Sequence, residues 1–442
     1  MLFYIETLGC KVNQYESAAI AELLRANGHT EVGKTEPRDV AIVNSCAVTG
    51  DASRQSRQTA RRLRREFPDA KLVVCGCASQ IEPDAAEQLG ADLVSGSGDR
   101  RGLAAALEVL VGGEIAEQVR DDRAVTLASP PSSTSHAMRL VDDAKTRREF
   151  EVLPSASVAG RTRAMLKIQD GCDNFCAYCV IPYARGRVRS LPLAKVVDEA
   201  YSLAEQGFGE IVLTGIELCS YGKDLDGATL IDAINATSRA AMNTRIRLGS
   251  LEPSTVTQGF VDALAAIPNV CDHFHMSLQS GSDGVLRRMR RKYDTAEFYA
   301  AISRLRDAFP NCGVTADVIA GFPGETDAEH AETAAFLERC AFSAVHVFPY
   351  SKRAGTPAAA MENQVSNAEK KARAAELREI AAKTGAAFAA SQVGRTLDVL
   401  FEAEKDGISV GHTSNYLEIA EPITGVRGKT LPMLLDIAKI RV

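Results

Sequence analysis

The chain has 442 residues, is 45% apolar and 24% charged, and is long enough for about three domains. Its opening residues MLFYIETLG are too short and too acidic for a secretory leader, and no run of about 18 apolar residues offers a membrane span. A net charge of −6 leaves any nucleic-acid binding to local basic patches. A cytoplasmic globular protein is predicted, in which eleven cysteines stay reduced and clustered ones point to metal rather than disulfides.

From the amino terminus, FYIETL (3–8), DVAIVNS (39–45), KLVVC (71–75) and ADLVSG (91–96) are predicted buried parallel strands. Amphipathic stretches such as YESAAIAELLRANG (15–28) separate them, which predicts an open α/β domain over 1–112. SPPSSTS (129–135) breaks this pattern, and 113–160 reads as a connector with room for one strand. A second series follows: RAMLKIQ (163–169), EIVLTG (210–215), TRIRLGS (244–250), HFHMSL (273–278), GVTADVIAG (313–321) and SAVHVFPY (343–350). Helical periodicity between these strands predicts a full or partial (β/α) barrel over 161–390. That segment ends in a long Ala/Glu/Lys helix at 366–391, opened by a capping box of Ser366 and Glu369. Residues 391–442 alternate with period two and predict a small all-β barrel.

The cysteines concentrate in two sets. DGCDNFCAYCVIP (170–182) carries Cys172, Cys176 and Cys179 directly after the first barrel strand, at the carboxyl end where such barrels keep their chemistry. Three thiolates on a 4Fe-4S cluster leave one iron open to a substrate, with Phe175 and Tyr178 placed to shield it. A zinc site completed by a distant His or Cys is the alternative. The second set is Cys10 (TLGCKVNQ), Cys46 (VNSCAVT) and Cys77 (VCGCASQ), one after each of the first three strands. Successive parallel strands bring their carboxyl ends together, so these cysteines converge although 35 and 30 residues intervene between them. Cys75 lies two residues before Cys77 in the same run and, read as strand, faces the same way. Cys219, Cys271, Cys312 and Cys340 are isolated and read as packing.

CxxxCxxC with an aromatic before its last cysteine resembles the signature of the radical S-adenosylmethionine (SAM) enzymes. With TLGCKVNQYES, VNSCAVTGDASRQSRQ and KIQDGCDNFCAYCVIPYARGRVRS, nearly the whole chain resembles the methylthiotransferases, most nearly those acting on tRNA N6-threonylcarbamoyladenosine. The resemblance implies a Rossmann-like cluster domain, a radical SAM partial (β/α)6 barrel and a C-terminal TRAM (OB-like) RNA-binding barrel. It implies two 4Fe-4S clusters, one held by Cys10, Cys46 and Cys77 and one by Cys172, Cys176 and Cys179, with Cys75 left to the core. It also implies SAM in two roles, methyl donor and radical source, and replacement of the C2 hydrogen of an adenine beside the anticodon by a methylthio group. No catalytic residue beyond the cluster ligands is assigned. The partners implied are the tRNA anticodon stem-loop, an electron donor such as flavodoxin or ferredoxin, and a sulfur source.

Family SAM contacts map onto Tyr178, onto Gly215 in TGIEL (214–218), onto Ser277 and Gln279 in SLQSGS (277–282), and onto Gly321 in DVIAGFPGET (317–326). Arg185, Arg187 and Arg189 in YARGRVRS are placed to pair with the SAM carboxylate or an RNA phosphate, Arg189 being the assigned SAM contact. Glu217 and Cys219 depart from the family pattern. SRQSRQTARRLRREF (53–67) and RRMRRK (287–292) are basic segments open to RNA or to solvent alone. Two other readings remain: a methylthiotransferase acting on isopentenyladenosine tRNA or a ribosomal-protein aspartate, and a non-catalytic RNA-binding iron-sulfur or zinc protein.

Overall fold

The computed structural model describes residues 1–112, 137–154 and 161–441 and divides into two compact units. The first comprises Met1–Ser157, Asp170–Asn174 and Cys179–Leu191, the second Val158–Gln169, Phe175–Tyr178 and Pro192–Val442. SPPSSTS and most of the expected connector lie outside the described residues.

The first unit is built on strands β1 (Leu2–Thr7), β2 (Val40–Ser45), β3 (Lys71–Gly76), β4 (Leu93–Ser95) and β5 (Met138–Leu140), all parallel and in chain order, with Thr30–Glu31 at the β1 edge. β5 comes from the described part of the connector, so that segment extends the sheet. Both faces are covered, which is why these strands read as continuous apolar runs. On one face Ile42, Val73 and Cys75 pack with Ile20 and Leu24 of α1 (Lys11–Ala26); on the other, Val43 and Val74 pack with Ala60 and Leu63 of α2 (Gly50–Glu66).

The second unit contains β6 (Arg163–Asp170), β7 (Glu210–Gly215), β8 (Arg245–Leu248), β9 (His273–Gln279), β10 (Gly313–Ala320) and β11 (Ala344–Pro349). β6–β7–β8 and β9–β10–β11 are parallel sheets, and the Leu251–Met276 bridge carries the order from the first to the second. Helices between successive strands make this a partial (β/α)6 barrel. The long helix Asn367–Gln392 starts with the expected capping box of Ser366 and Glu369.

The tail forms a five-stranded antiparallel sheet from β12 (Thr396–Lys405), β13 (Ile408–Thr413), β14 (Glu418–Glu421), β15 (Thr430–Leu434) and β16 (Ile440–Arg441), in the order β15–β12–β13–β14–β16. Val399, Phe401, Leu417 and Ile419 fill its core. It docks on the amino ends of the barrel strands. There Arg163 pairs with Glu402 at 2.8 Å, Arg247 donates to the Thr413 and Ser414 carbonyls at 3.2 and 2.9 Å, and His273 stacks on Tyr416 with ring centroids 4.5 Å apart.

Candidate functional site

Register brings the three strand ends of the first unit together. Thr7 lies opposite Asn44, Asn44 opposite Cys75 and Ser45 opposite Gly76. Cys46 and Cys77 therefore leave the sheet at one level, each directly after its strand, while Cys10 follows β1 as the N-cap of α1. Gly9 and Gly76 precede Cys10 and Cys77 at φ +98° and +100°, where glycine alone is unstrained. A Cβ on Gly9 would stand 2.6 Å from the Cys46 sulfur, so that close approach requires glycine.

Cys75 and Cys77 do not share a face, contrary to the period-two expectation. The strand ends at Gly76, and its positive φ turns the chain, so Cys75 packs in the core with Val73 while Cys77 opens a short helix beside Ala47, Val180 and Ala184.

Two sulfurs of this set accept hydrogen bonds. Cys46 Sγ accepts the Val48 N–H at 3.5 Å, and Cys77 Sγ accepts the Arg185 Nε–H at 3.1 Å. The Cys10 thiol is exposed and lies 3.9 Å from Asn13 Oδ1. Burial pushes the Cys46 thiol up to about 11, with the Val48 N–H opposing and the Cys77 and Cys10 thiols adding. Burial likewise raises Cys77 against the pull of Arg185. Buried thiols with N–H donors aimed at sulfur suit a bound metal, which deprotonates them outright.

The other set runs along a loop whose residues belong to both units. In the first unit, Cys172 Sγ accepts the Asn174 N–H at 3.5 Å and Cys179 Sγ the Ile181 N–H at 3.4 Å. Cys46, Cys172 and Cys179 thus share one motif, a sulfur accepting the N–H two residues on. In the second unit Cys176 is buried and accepts from Arg291 Nη1 at 3.2 Å. Tyr178 packs against Val285, Met289 and Phe322, whereas Phe175, expected as a shield, is 42% exposed at φ +47°.

Among the described residues no group of three His, Cys, Asp or Glu side chains is spaced to hold a single metal ion. A single zinc draws four ligands to about 2.0–2.3 Å, whereas a four-iron cluster binds each thiolate at a different iron and needs them farther apart. In the first unit, the N–H donors on Cys46 and Cys77 suit thiolates bound to such a cluster.

Of the expected SAM contacts, four line the carboxyl ends of β7, β9 and β10. Gly215 stands where a Cβ would meet Gln169 Oε1 at 2.8 Å, and that amide accepts the Glu217 N–H at 2.7 Å. Ser277 and Gln279 end β9, Gln279 at φ +69° past a register shift. The Gly321 N–H is taken by Glu325 at 3.0 Å. Arg189, in the first unit, donates to the Arg185 and Arg187 carbonyls at 3.0 and 2.7 Å and pairs with Asp170 at 3.3 Å. A cavity of about 530 Å³ opens between the loops after β7 and β8, lined by Cys219, Tyr221, Lys223 and Thr255 among others.

Three arginines differ from expectation. Arg185 is fully buried and turned to Cys77, Glu16 and Asn13 rather than to an outside anion. In RRMRRK, Arg288 is held by Glu329 at 2.7 Å and Arg291 by Glu252 at 2.7 Å, so these two leave the basic surface, whereas Arg287, Arg290 and Lys292 are exposed. On α2, Arg54, Arg62 and Arg64 have acidic partners, and Arg61 and Arg65 are exposed. Glu16, Asn13, Glu252 and Arg291 escaped the sequence reading. For the first two a signal existed: polar side chains three apart, flanked by Val12 and Ile20, on a face that is buried. Glu252 and Arg291 meet only through the barrel's closure.

A model of the radical SAM superfamily matches residues 166–337, and one of an uncharacterised protein family, UPF0004, matches 2–96. The radical SAM methyltransferase TsrM from Kitasatospora setae shares the fold, with a TM-score of 0.58 and 17% identity over 81% of this chain and 75% of that one. Fold, superfamily match and cysteine loop define a radical SAM enzyme. The threonylcarbamoyladenosine tRNA methylthiotransferase MtaB of Bacillus subtilis (strain 168) is 38% identical over 93% of this chain and 88% of its own length. MtaB of Thermotoga maritima is 36% identical over 94% and 90%. The tRNA-2-methylthio-N(6)-dimethylallyladenosine synthase of Chlorobium luteolum is 32% identical over 100% and 94%. The chain belongs to the methylthiotransferase family of these relatives, radical SAM transferases that use SAM and 4Fe-4S clusters.

Proposed function

We propose that the protein converts N6-threonylcarbamoyladenosine beside the tRNA anticodon to its 2-methylthio derivative, in the cytoplasm. The observation that carries this reading is the pair of three-cysteine sets on one chain, with N–H donors on five of the six sulfurs. An unreactive aromatic C–H calls for radical chemistry, and an inserted sulfur calls for a second open site. When bound, the clusters and SAM supply the reducing electron, the 5'-deoxyadenosyl radical, the sulfur and its methyl group. Cys172, Cys176 and Cys179 hold the radical cluster, and Cys10, Cys46 and Cys77 hold the sulfur-bearing one. Tyr178, Gly215, Ser277, Gln279 and Gly321 border SAM, and Arg189 supports the loop after Cys179. The cavity between the loops after β7 and β8 offers space at the chemistry end of the barrel. Residues 1–112 are the cluster domain, 161–390 the radical SAM domain and 391–442 a TRAM-like module that binds RNA. A flavodoxin or ferredoxin serves as electron donor, and a separate source renews the sulfur. Among the described residues no helix is long and apolar enough to cross a membrane.

Mass spectrometry of tRNA nucleosides from a strain lacking the gene tests the reading. Loss of 2-methylthio-N6-threonylcarbamoyladenosine, restored by the gene, is the expected result. Loss of the methylthio-dimethylallyl nucleoside instead would favour the second reading, which the dimethylallyladenosine synthase relatives keep open.

A further inference from the structure

We infer that Arg185 is a positioning residue that sets the electron affinity of the Cys10, Cys46 and Cys77 centre, and that Glu16 balances it. The inference rests on the reading of those three cysteines as cluster ligands. Arg185 is fully buried, as is Arg100, and Glu16 is 1% exposed between them. Arg185 gives its Nε–H to Cys77 Sγ at 3.1 Å, one amino group to Asn13 Oδ1 at 2.9 Å and both to Glu16, and Asp170 stands 3.7 Å away. Arg100 reaches the same Glu16 at 2.8 Å. The guanidinium is thereby fixed with one N–H on a sulfur, and two arginines share one fully buried carboxylate.

Such an arrangement is costly as mere cement, because buried charges lose hydration that their pairing only partly returns. Beside a metal centre it has a use. One-electron reduction adds negative charge to a cluster and its thiolates, and a hydrogen-bond donor and a fixed positive charge both favour the reduced form. Glu16 acts oppositely and keeps that bias moderate. In the second unit Arg291, held by Glu252 at 2.7 Å, donates to Cys176 at 3.2 Å, so the same pair of residue types meets a cysteine of each set.

The test uses the full chain carrying Cys172→Ala, Cys176→Ala and Cys179→Ala, reconstituted so that only the first centre is loaded. Iron and sulfide content decides the underlying reading first: about four iron per chain supports it, and none rejects it whatever Arg185 does. On the loaded protein the midpoint potential is measured by dithionite titration followed by electron paramagnetic resonance. Arg185→Met should disfavour reduction about tenfold, which is about 59 mV for one electron. Glu16→Gln should shift it in the opposite direction. Should Arg185→Met fail to fold or load, Glu16→Gln decides alone, a positive shift supporting the inference and none overturning it. Potentials that stay put in loaded variants, or both move the same way, overturn it, because a purely structural pair would not produce shifts of opposite sign.

Discussion

Glu210 and Glu217 stand near opposite ends of β7, and the barrel treats them in opposite ways. At the amino end burial alone would raise the Glu210 carboxyl, but Arg247 above all, then Arg245 and Arg163, hold it down to about 2. Arg247 makes two hydrogen bonds to it, at 2.7 and 2.8 Å, and Arg245 one at 2.8 Å. At the carboxyl end burial raises Glu217 to about 7, the Glu252 carboxylate adds to the rise, and Arg291 opposes it only in part. The amino end is saturated with counter-charge and capped by the C-terminal sheet. The carboxyl end keeps two acidic groups around one arginine that also faces a sulfur. In α/β barrels the first kind of end serves stability and the second serves chemistry.

Removing a cysteine of either set should have the largest effect on function and little on folding. Cys176→Ala is expected to abolish SAM cleavage, measured as 5'-deoxyadenosine formed with dithionite. Cys46→Ala should leave that cleavage and eliminate methylthio product. Equal loss of cleavage in both variants would refute the assignment of separate tasks to the two sets.

At the amino end the ranking reverses. Glu210→Ala leaves the buried Arg247 and the half-buried Arg245 without their carboxylate, which should cost about 3–5 kcal/mol in chemical denaturation. Cleavage per folded molecule should stay near wild type. A loss of cleavage larger than the loss of folded protein would show that the two ends are not separable.

pH should sharpen the contrast, since the two carboxyls have shifts of opposite sign. Glu210 titrates lower in the folded chain than unfolded, so its contribution is complete above about pH 5 and is lost as pH falls towards 2. Its shift corresponds to roughly 3 kcal/mol. Glu217 titrates higher when folded, so stability declines as pH rises from about 4.5 to 7. Glu210→Gln should remove much of the acid-side dependence, and Glu217→Gln should flatten the decline towards neutral pH. Denaturation midpoints from about pH 2 to about pH 8, the range set by these shifts, report both; matching profiles in the two variants would contradict the contrast.

Much of this architecture was legible in sequence because strands covered on both faces announce themselves as apolar runs between helical periods. All ten strands predicted over residues 1–390 are present to within a residue or two, and Ser366 and Glu369 marked a helix start where the structure has one. The positions of the six cysteines at strand ends were legible for the same reason. What the sequence hid is what only tertiary closure creates. Arg185 read as a partner for an outside anion and Arg291 as part of a basic run, because nothing local reveals a glutamate 169 or 39 positions away. Cys75 was misoriented because a period-two rule stops applying once a glycine at positive φ ends the strand.

The smallest predicted effect asks whether the two ends communicate. The helix Asn367–Gln392 runs between them, about 39 Å long at 1.5 Å per residue. Its first turns bear on the chemistry end, where Arg373 donates to the Glu325 carbonyl at 2.9 Å and a Cβ on Gly321 would meet Lys370 at 2.5 Å. Its last residue, Gln392, accepts from Asn415 at 3.2 Å beside the amino-end network. Ser366→Ala removes the N-cap and should cost about 1 kcal/mol. Because Ser366 and Glu210 are associated with opposite ends and share no hydrogen-bond partner, their effects should add to within about 0.5 kcal/mol. A double variant that departs further from the sum would mean that the helix transmits strain along its length, and the division into a stability end and a chemistry end would have to be abandoned.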